Sequence, residues 1–184
     1  LKKNHIFARK DRQMGENELS MVLKKQAVEL GLCEDWQREW KRDTSKQELI
    51  DKYFNGLDFP MRHHWPSNNY IKDNFGQELL RRNNILVDDK YSLLNPQEAV
   101  ILGNAEAAVR VNGHNHSVIY IRDNSAVKLY VKNTAFVIVH LFETAHVEAQ
   151  IFDSPNVLIL KHSKDVNVTT VGKVKIKEDF DYLK

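Results

Sequence analysis

At 184 residues, 42% hydrophobic and 28% charged, the chain is long enough to bury a real core and has the composition of a globular protein rather than a disordered or membrane one. Its 27 basic and 25 acidic residues leave a net charge of +2 spread along the chain, which argues against a concentrated phosphate-binding surface. No apolar run approaches the roughly 18 residues of a membrane span, the basic start leads into no signal-peptide core, and a single cysteine excludes an intrachain disulfide or a Cys-rich zinc site. The expected setting is cytoplasmic, with no membrane partner. The one basic cluster, Lys2, Lys3, Arg9, Lys10 and Arg12, reads as a solvated terminus, and Cys33 as a buried small hydrophobe.

From Glu16, the residues Leu19, Val22, Leu23, Ala27 and Leu30 recur at helical steps, and Gly31 supplies a stop. A short helix follows, with Trp36 and Trp40 four apart on one side. Ser45 and Glu48 have the spacing of a capping box for a helix carrying Leu49, Ile50, Tyr53 and Phe54. The stretch Phe59 to Pro66, with its two prolines, reads as a connector, because each proline disfavours helical geometry in its predecessor. Ser67 can cap a further helix carrying Tyr70, Ile71, Phe75, Leu79 and Leu80, with Gly76 as a break inside it. The two short helices around Gly76, with Arg81 and Arg82, also admit a helix-turn-helix, but Asp73, Glu78, Asp88 and Asp89 would oppose a phosphate backbone, so a capping or docking role is preferred. Ile85 to Leu94 is a short strand or turn, and the domain change is placed at Asn95-Pro96, giving a helical domain 1–95 and a β-rich domain 96–184.

Near Ala105 the apolar period switches from 3.6 to 2. Val127, Val137, Val147 and Val157 stand ten residues apart, followed in step by Leu129, Val139, Ala149 and Ile159. One strand plus one corner makes the repeat. Two architectures fit: a β-solenoid with two such strands per coil, or an antiparallel meander or sandwich of hairpins. Tight hairpins favour glycine in their turns, yet none occurs between Gly113 and Gly172, which favours the solenoid. The fold class is therefore α+β, helices followed by a β-solenoid. The alternation slips near Asp165, so the last coil is expected to be irregular.

Phe136, Ile138, Phe142, Phe152 and Leu158 have the outward parity, which marks them as an interface to other copies of the chain or to its own helices. Arg122, Tyr130, His140 and His146 are candidates for a ligand groove. His114 and His116, with Asp123 or Glu106, are the only metal set worth testing, and the Asn112 to His116 run reads more plainly as a polar turn. His63 and His64 sit in the proline-bounded loop without an evident acid or base partner. No local motif of a phosphate loop, dinucleotide turn, nucleophile elbow or zincin helix is present, so no catalytic residue, metal or cofactor is assigned.

The runs Gly31-Leu32-Cys33-Glu34-Asp35-Trp36, Ser45-Lys46-Gln47-Glu48-Leu49-Ile50 and Trp65-Pro66-Ser67, followed by the Val-rich repeat, resemble a group of uncharacterised proteins of gut Bacteroidales bacteria and their phages or mobile elements. The repeat is also similar in kind to the β-helical scaffolds of bactofilin-like polymers and adhesin heads. Neither resemblance carries a catalytic motif. The expected function is a non-catalytic structural or interaction module, a homo-oligomer or protein-binding scaffold in a phage or mobile-element setting. A small-ligand or nucleotide-binding protein and a DNA-binding regulator are the rivals.

Overall fold

The computed structural model describes residues 15–41 and 44–182, and the basic cluster from Lys2 to Arg12 lies outside them. Two compact units divide between Asn55 and Gly56. The first holds α1 (Glu16–Glu29), α2 (Glu34–Glu39) and α3 (Lys46–Asn55). The expected apolar stripe forms in part: Leu19, Leu23 and Ala27 of α1 and Leu49 and Ile50 of α3 are buried, Val22, Tyr53 and Phe54 are half-buried, and Leu30, past the end of α1, is exposed. Gly31 takes a positive φ of 93° just past α1, a geometry that a side chain would strain. The capping box closes at the head of α3: the Glu48 N–H donates to Ser45 Oγ at 3.2 Å, and the Ser45 N–H to Glu48 Oε2 at 2.8 Å. Trp40 is buried with its indole N–H donating to Ser20 Oγ at 3.0 Å, while Trp36 is only half-buried. Cys33 departs from expectation. It is exposed, because it is the N-cap of α2 and sits outside the helix in an extended conformation.

The second unit opens with α4 (Asp58–His63), α5 (Asn68–Phe75) and α6 (Gln77–Arg82). The expected connector is thus partly helical, because Pro60 falls in the first turn of α4, where a missing N–H costs nothing. The chain then breaks at His64, in left-handed conformation, and at a cis Trp65-Pro66 bond. Ser67 caps α5, accepting from the Tyr70 N–H at 3.3 Å, and Gly76 at φ 77° separates α5 from α6.

Eleven strands follow among the described residues: β1 (Ile85–Val87), β2 (Lys90–Leu94), β3 (Glu98–Leu102), β4 (Glu106–Val111), β5 (His116–Ile121), β6 (Ala126–Val131), β7 (Phe136–Leu141), β8 (His146–Ile151), β9 (Asn156–Lys161), β10 (Asn167–Val171) and β11 (Lys175–Glu178). Odd-numbered strands form one sheet, in the order β1-β3-β5-β7-β9-β11, and even-numbered strands the other, β10-β8-β6-β4-β2. Every pairing is parallel, so the fold is a β-solenoid and the hairpin alternative does not hold. In the central coils, Val127 pairs with Val147 and Val137 with Val157, so one coil is 20 residues and the ten-residue repeat is half of it. The coiling also begins before the switch of period at Ala105: β1 and β2 already pair with β3 and β4.

Inward columns fill the space between the sheets, with Val109, Ile119, Leu129, Val139 and Ile159 at 0% exposure. Burial of each such side chain contributes roughly 1.5–3 kcal/mol. Helices α5 and α6 pack against β1 and cap the start of the solenoid. Arg81 pins that cap with two hydrogen bonds to Asp89, at 2.8 and 2.7 Å, and its guanidinium lies 4.6 Å from the Tyr91 ring. At the other end the coil is irregular, as the slipped alternation implied. Asn167 lies over His146, a step of one extra residue, and β10 and β11 are mostly exposed.

From β1 to β9 every corner carries a left-handed residue. Asp88, Gly103, Asp123 and Glu143 supply it at one corner, and Asn95, Gly113, Asn133 and Asp153 at the other. Aspartate and asparagine tolerate this conformation better than most residues, which is how the solenoid turns without glycine at most corners. The side chains of Asp123, Asn133 and Asp153 also bind the coil before them: the Gly103 N–H donates to Asp123 Oδ2 at 2.7 Å, the Gly113 N–H to Asn133 Oδ1 at 3.2 Å, and the Asn133 N–H to Asp153 Oδ2 at 3.0 Å. Replacing Asn133 by Ala removes both the tolerated conformation and the cap, and is expected to lower stability by about 1–2 kcal/mol. Asn133→Gly, which keeps the conformation, loses less. Urea denaturation of the two variants checks the order.

Candidate functional site

Three places in the second unit gather chemistry-bearing side chains. The first is a polar cleft of about 420 Å³ where the α4–α5 connection meets one corner of the solenoid, lined by His64, Ser67, Asn68, Asn69, Asp88, Gly103, Asn104, Asp123 and Asn124. Asp123 is its hub. One carboxylate oxygen accepts from the Gly103 N–H at 2.7 Å and from Asn68 Nδ2 at 2.8 Å, and the other lies 3.3 Å from His64 Nε2. Burial pushes this carboxyl up, but hydrogen bonds from His64, Asn68 and the Gly103 amide outweigh it and hold it at about 2. The same contact raises His64 above the usual histidine value. Asp88 accepts from Lys72 and, at 2.8 Å, from the Asn104 N–H, and both hold its carboxyl below the usual range. Gly103 is the floor of the cleft, since a Cβ there would stand 2.1 Å from Asp88 Oδ1.

The second place is a stack of rings on the outer face of the odd-numbered sheet. Tyr120 and His140 lie 4.5 Å apart and nearly parallel, and His162 continues the stack 5.1 Å from His140 and 4.6 Å from Phe142. Tyr182 covers it, 4.4 Å from His162, and its hydroxyl reaches Asp58 of α4 at 2.7 Å. The tautomers follow from the partners. His162 Nδ1 faces the Asp179 carbonyl at 2.7 Å and must donate, so its Nε2 accepts from His140 Nδ1 at 2.9 Å. Burial pushes His140 down to about 4 and lowers His162 as well, so both rings are neutral near pH 7. Beside them Arg122 donates twice to Glu143 and once to the Met61 carbonyl, with its guanidinium 5.2 Å from the Phe142 ring. It ties α4 to the solenoid.

The third place is the uncovered half of the same sheet face. Val118, Ile138 and Leu158 are in register on β5, β7 and β9, half-buried, with Phe136 beside them at 46% exposure.

The residues singled out from the sequence are thus distributed among different surfaces. Phe136, Ile138 and Leu158 share the open row, whereas Phe152 stands at the corner after β8, exposed, with Lys132 Nζ 5.2 Å from its ring. Phe142 is 1% exposed, covered by the unit's own Arg122, His162 and Tyr182. Arg122 and His140 lie together on the odd-numbered sheet. Tyr130 and His146 lie on the other, Tyr130 with its ring 5.4 Å from Arg110 and His146 3.5 Å from Glu148. The four do not form one groove, because residues near ten apart alternate between sheets. His114 and His116 stand at the opposite ends of the strands from Asp123 and Glu106, and no cluster of three or more metal-ligating groups occurs among the described residues. The cleft itself was missed. Its members span His64 to Asn124, and only the left-handed Asp and Gly recurring at one corner could have pointed to it. No helix among the described residues is long and apolar enough to cross a membrane. Comparison with protein-family models, curated proteins and solved structures finds no match.

Two titrations check these geometries. The His64 ring is expected to titrate above pH 6.5 by NMR, and Asp123→Asn should bring it back toward that value. His140 has a native value near 4 against an unfolded value of about 6.5, so its contribution to stability is complete above pH 6.5 and declines as pH falls through that window toward 4. The loss expected at pH 5 is on the order of 2 kcal/mol. Urea midpoints at pH 7.5 and 5 should therefore differ less in His140→Phe than in the wild type.

Proposed function

We propose that this chain is a non-catalytic interaction module whose solenoid is a rigid scaffold, and that copies associate through the open half of the odd-numbered sheet. The observation that carries this reading is the apolar row Val118, Ile138 and Leu158, in register on three parallel strands, with Phe136 exposed beside it. A contiguous outward apolar strip rimmed by polar residues fits a protein partner. His116, Asn156 and Glu98 supply such a rim here. A second copy is the preferred occupant because an identical row with the same 20-residue period can meet it about a two-fold axis, each apolar residue facing an apolar one. The ring stack and Arg122 do not compete with this role: their hydrogen bonds hold α4 and the C-terminal segment to the solenoid. A phage or mobile-element setting is proposed on the resemblance of Gly31 to Trp36, Ser45 to Ile50 and Trp65 to Ser67 alone.

A second reading is favoured by the polar cleft at Asp123, whose side chains are held in place and whose volume falls within the roughly 300–1,000 Å³ of small-molecule sites. In that reading the module carries a small ligand.

Light scattering tests the assembly. The wild-type chain is expected to be a multimer, and Phe136→Asp combined with Leu158→Lys a monomer with an unchanged circular dichroism spectrum. Phe142 is unsuited to this test, since a charge there would be buried in the ring stack. A wild-type chain that is monomeric at every concentration would overturn the assembly reading.

A further inference from the structure

The cleft at Asp123 holds two carboxylates, and each has a basic side chain beside it. Asp88 is paired with Lys72, and Asp123 with His64, which its partner keeps protonated to higher pH than an isolated histidine. An anion entering would meet both carboxylates, and a cation would have to displace Lys72 and His64 while facing the N-terminal end of α5, where Ser67, Asn68 and Asn69 line the wall. The lining carries no large apolar side chain, so a ligand with an extended hydrophobic surface has nothing to bury there. What remains is a neutral, strongly polar molecule.

The hydrogen-bonding groups are arranged for hydroxyls. Asn104 and Asn124 stack on successive coils, with Asn124 Nδ2 3.4 Å from Asn104 Oδ1, Asn104 Nδ2 donating to Asp88, and Asn124 Oδ1 accepting from Thr144. Each amide is oriented by these bonds and keeps one N–H unused in them. Successive coils are about 4.8 Å apart, close to the separation of alternate equatorial hydroxyls on a pyranose ring. Each carboxylate still has lone-pair capacity after the bonds described. Asn68, which lines the same cleft, has a buried Oδ1 with no hydrogen-bond partner among the described residues. An unsatisfied carbonyl of this kind is costly, and it belongs to the same side chain whose Nδ2 donates to Asp123. Hydroxyls both donate and accept, which matches a wall of alternating amides and carboxylates.

We propose that the cleft binds a neutral pyranose sugar, alone or as the end of a glycan, with Asn104, Asn124, Asp123 and Asp88 as the recognising side chains. The proposal rests on the second reading above and is independent of self-association. It is tested on the full chain by amide NMR, with methyl glycosides of glucose, galactose, mannose, N-acetylglucosamine, fucose and rhamnose up to roughly 50 mM, a range that captures millimolar affinities. Calcium chloride and sodium phosphate are titrated alongside. At least one glycoside is expected to give saturable shifts of the Gly103, Asn104, Asp123 and Asn124 amides. Replacing the two exposed asparagines, Asn104→Ala with Asn124→Ala, is expected to weaken that binding by about tenfold or more while leaving the remaining spectrum in place. Saturable shifts with calcium or phosphate but with no glycoside would overturn the sugar assignment and keep the cleft as a binding site. No saturable shift with any probe, or a glycoside affinity unchanged in the double variant, would overturn both.

Discussion

Each residue of the central solenoid lies over the one twenty positions away, on a parallel neighbour, and the rest of the second unit depends on that stacking. Parallel pairing leaves no tight hairpin to reverse the chain, so every half-coil must turn a corner and return in register. The turn demands a backbone conformation that most side chains resist. Here the residues that accept it, Asp123, Glu143, Asn133 and Asp153, use the same side chains to bind the amide of the preceding coil. Local conformation and coil-to-coil cohesion are therefore solved by a single acidic or amide side chain at each of these corners, and Val, Leu, Ile and Ala are left to fill the interior.

The stacking also decides where polar groups collect. At one corner the column Asp88, Gly103, Asp123 and Glu143 puts three carboxylates in line. Glu143 is neutralised by Arg122, which in turn holds α4. Asp88 and Asp123 converge on Gly103, where the absent side chain leaves room, and the α4–α5 connection closes over them to make the cleft. On the outer face of the odd-numbered sheet the same columns line up rings. Tyr182 covers the ring stack on that face and bonds to α4, while the row Val118, Ile138 and Leu158 is half-buried and Phe136 beside it is exposed. A single periodic scaffold thus presents two different surfaces, one a polar cleft, the other an apolar row.

Much of this was legible in the sequence. The Val127 to Val157 spacing, the capping box at Ser45 and the break at Gly76 are local patterns, and the lack of glycine between Gly113 and Gly172 separated coils from hairpins. What was not legible depends on residues far apart in the chain. Phe142 has the outward parity of an exposed ring, but its cover comes from Arg122 on a neighbouring coil and from His162 and Tyr182 further on. Ile85 to Leu94 reads as a short strand or turn rather than as two solenoid strands, because β1 is short and this coil has not yet settled into the 20-residue period. The ten-residue period also hides the difference between the sheets, which is why Tyr130 and His140 look like neighbours in sequence pattern and lie on opposite sheets. The helix in the Phe59 to Pro66 stretch was obscured by Pro60, which its place in the first turn makes harmless.

The most direct test of the account is the strand pairing itself, read from nuclear Overhauser contacts in a uniformly labelled chain. The account predicts parallel cross-strand contacts linking Val139 on β7 to Ile119 and Ile159, and linking Leu129 on β6 to Val109 and Ala149. Close α-proton pairs between sequential strands, such as β7 with β8, would mean an antiparallel meander and would contradict it, together with the cleft and the apolar row that the coils create.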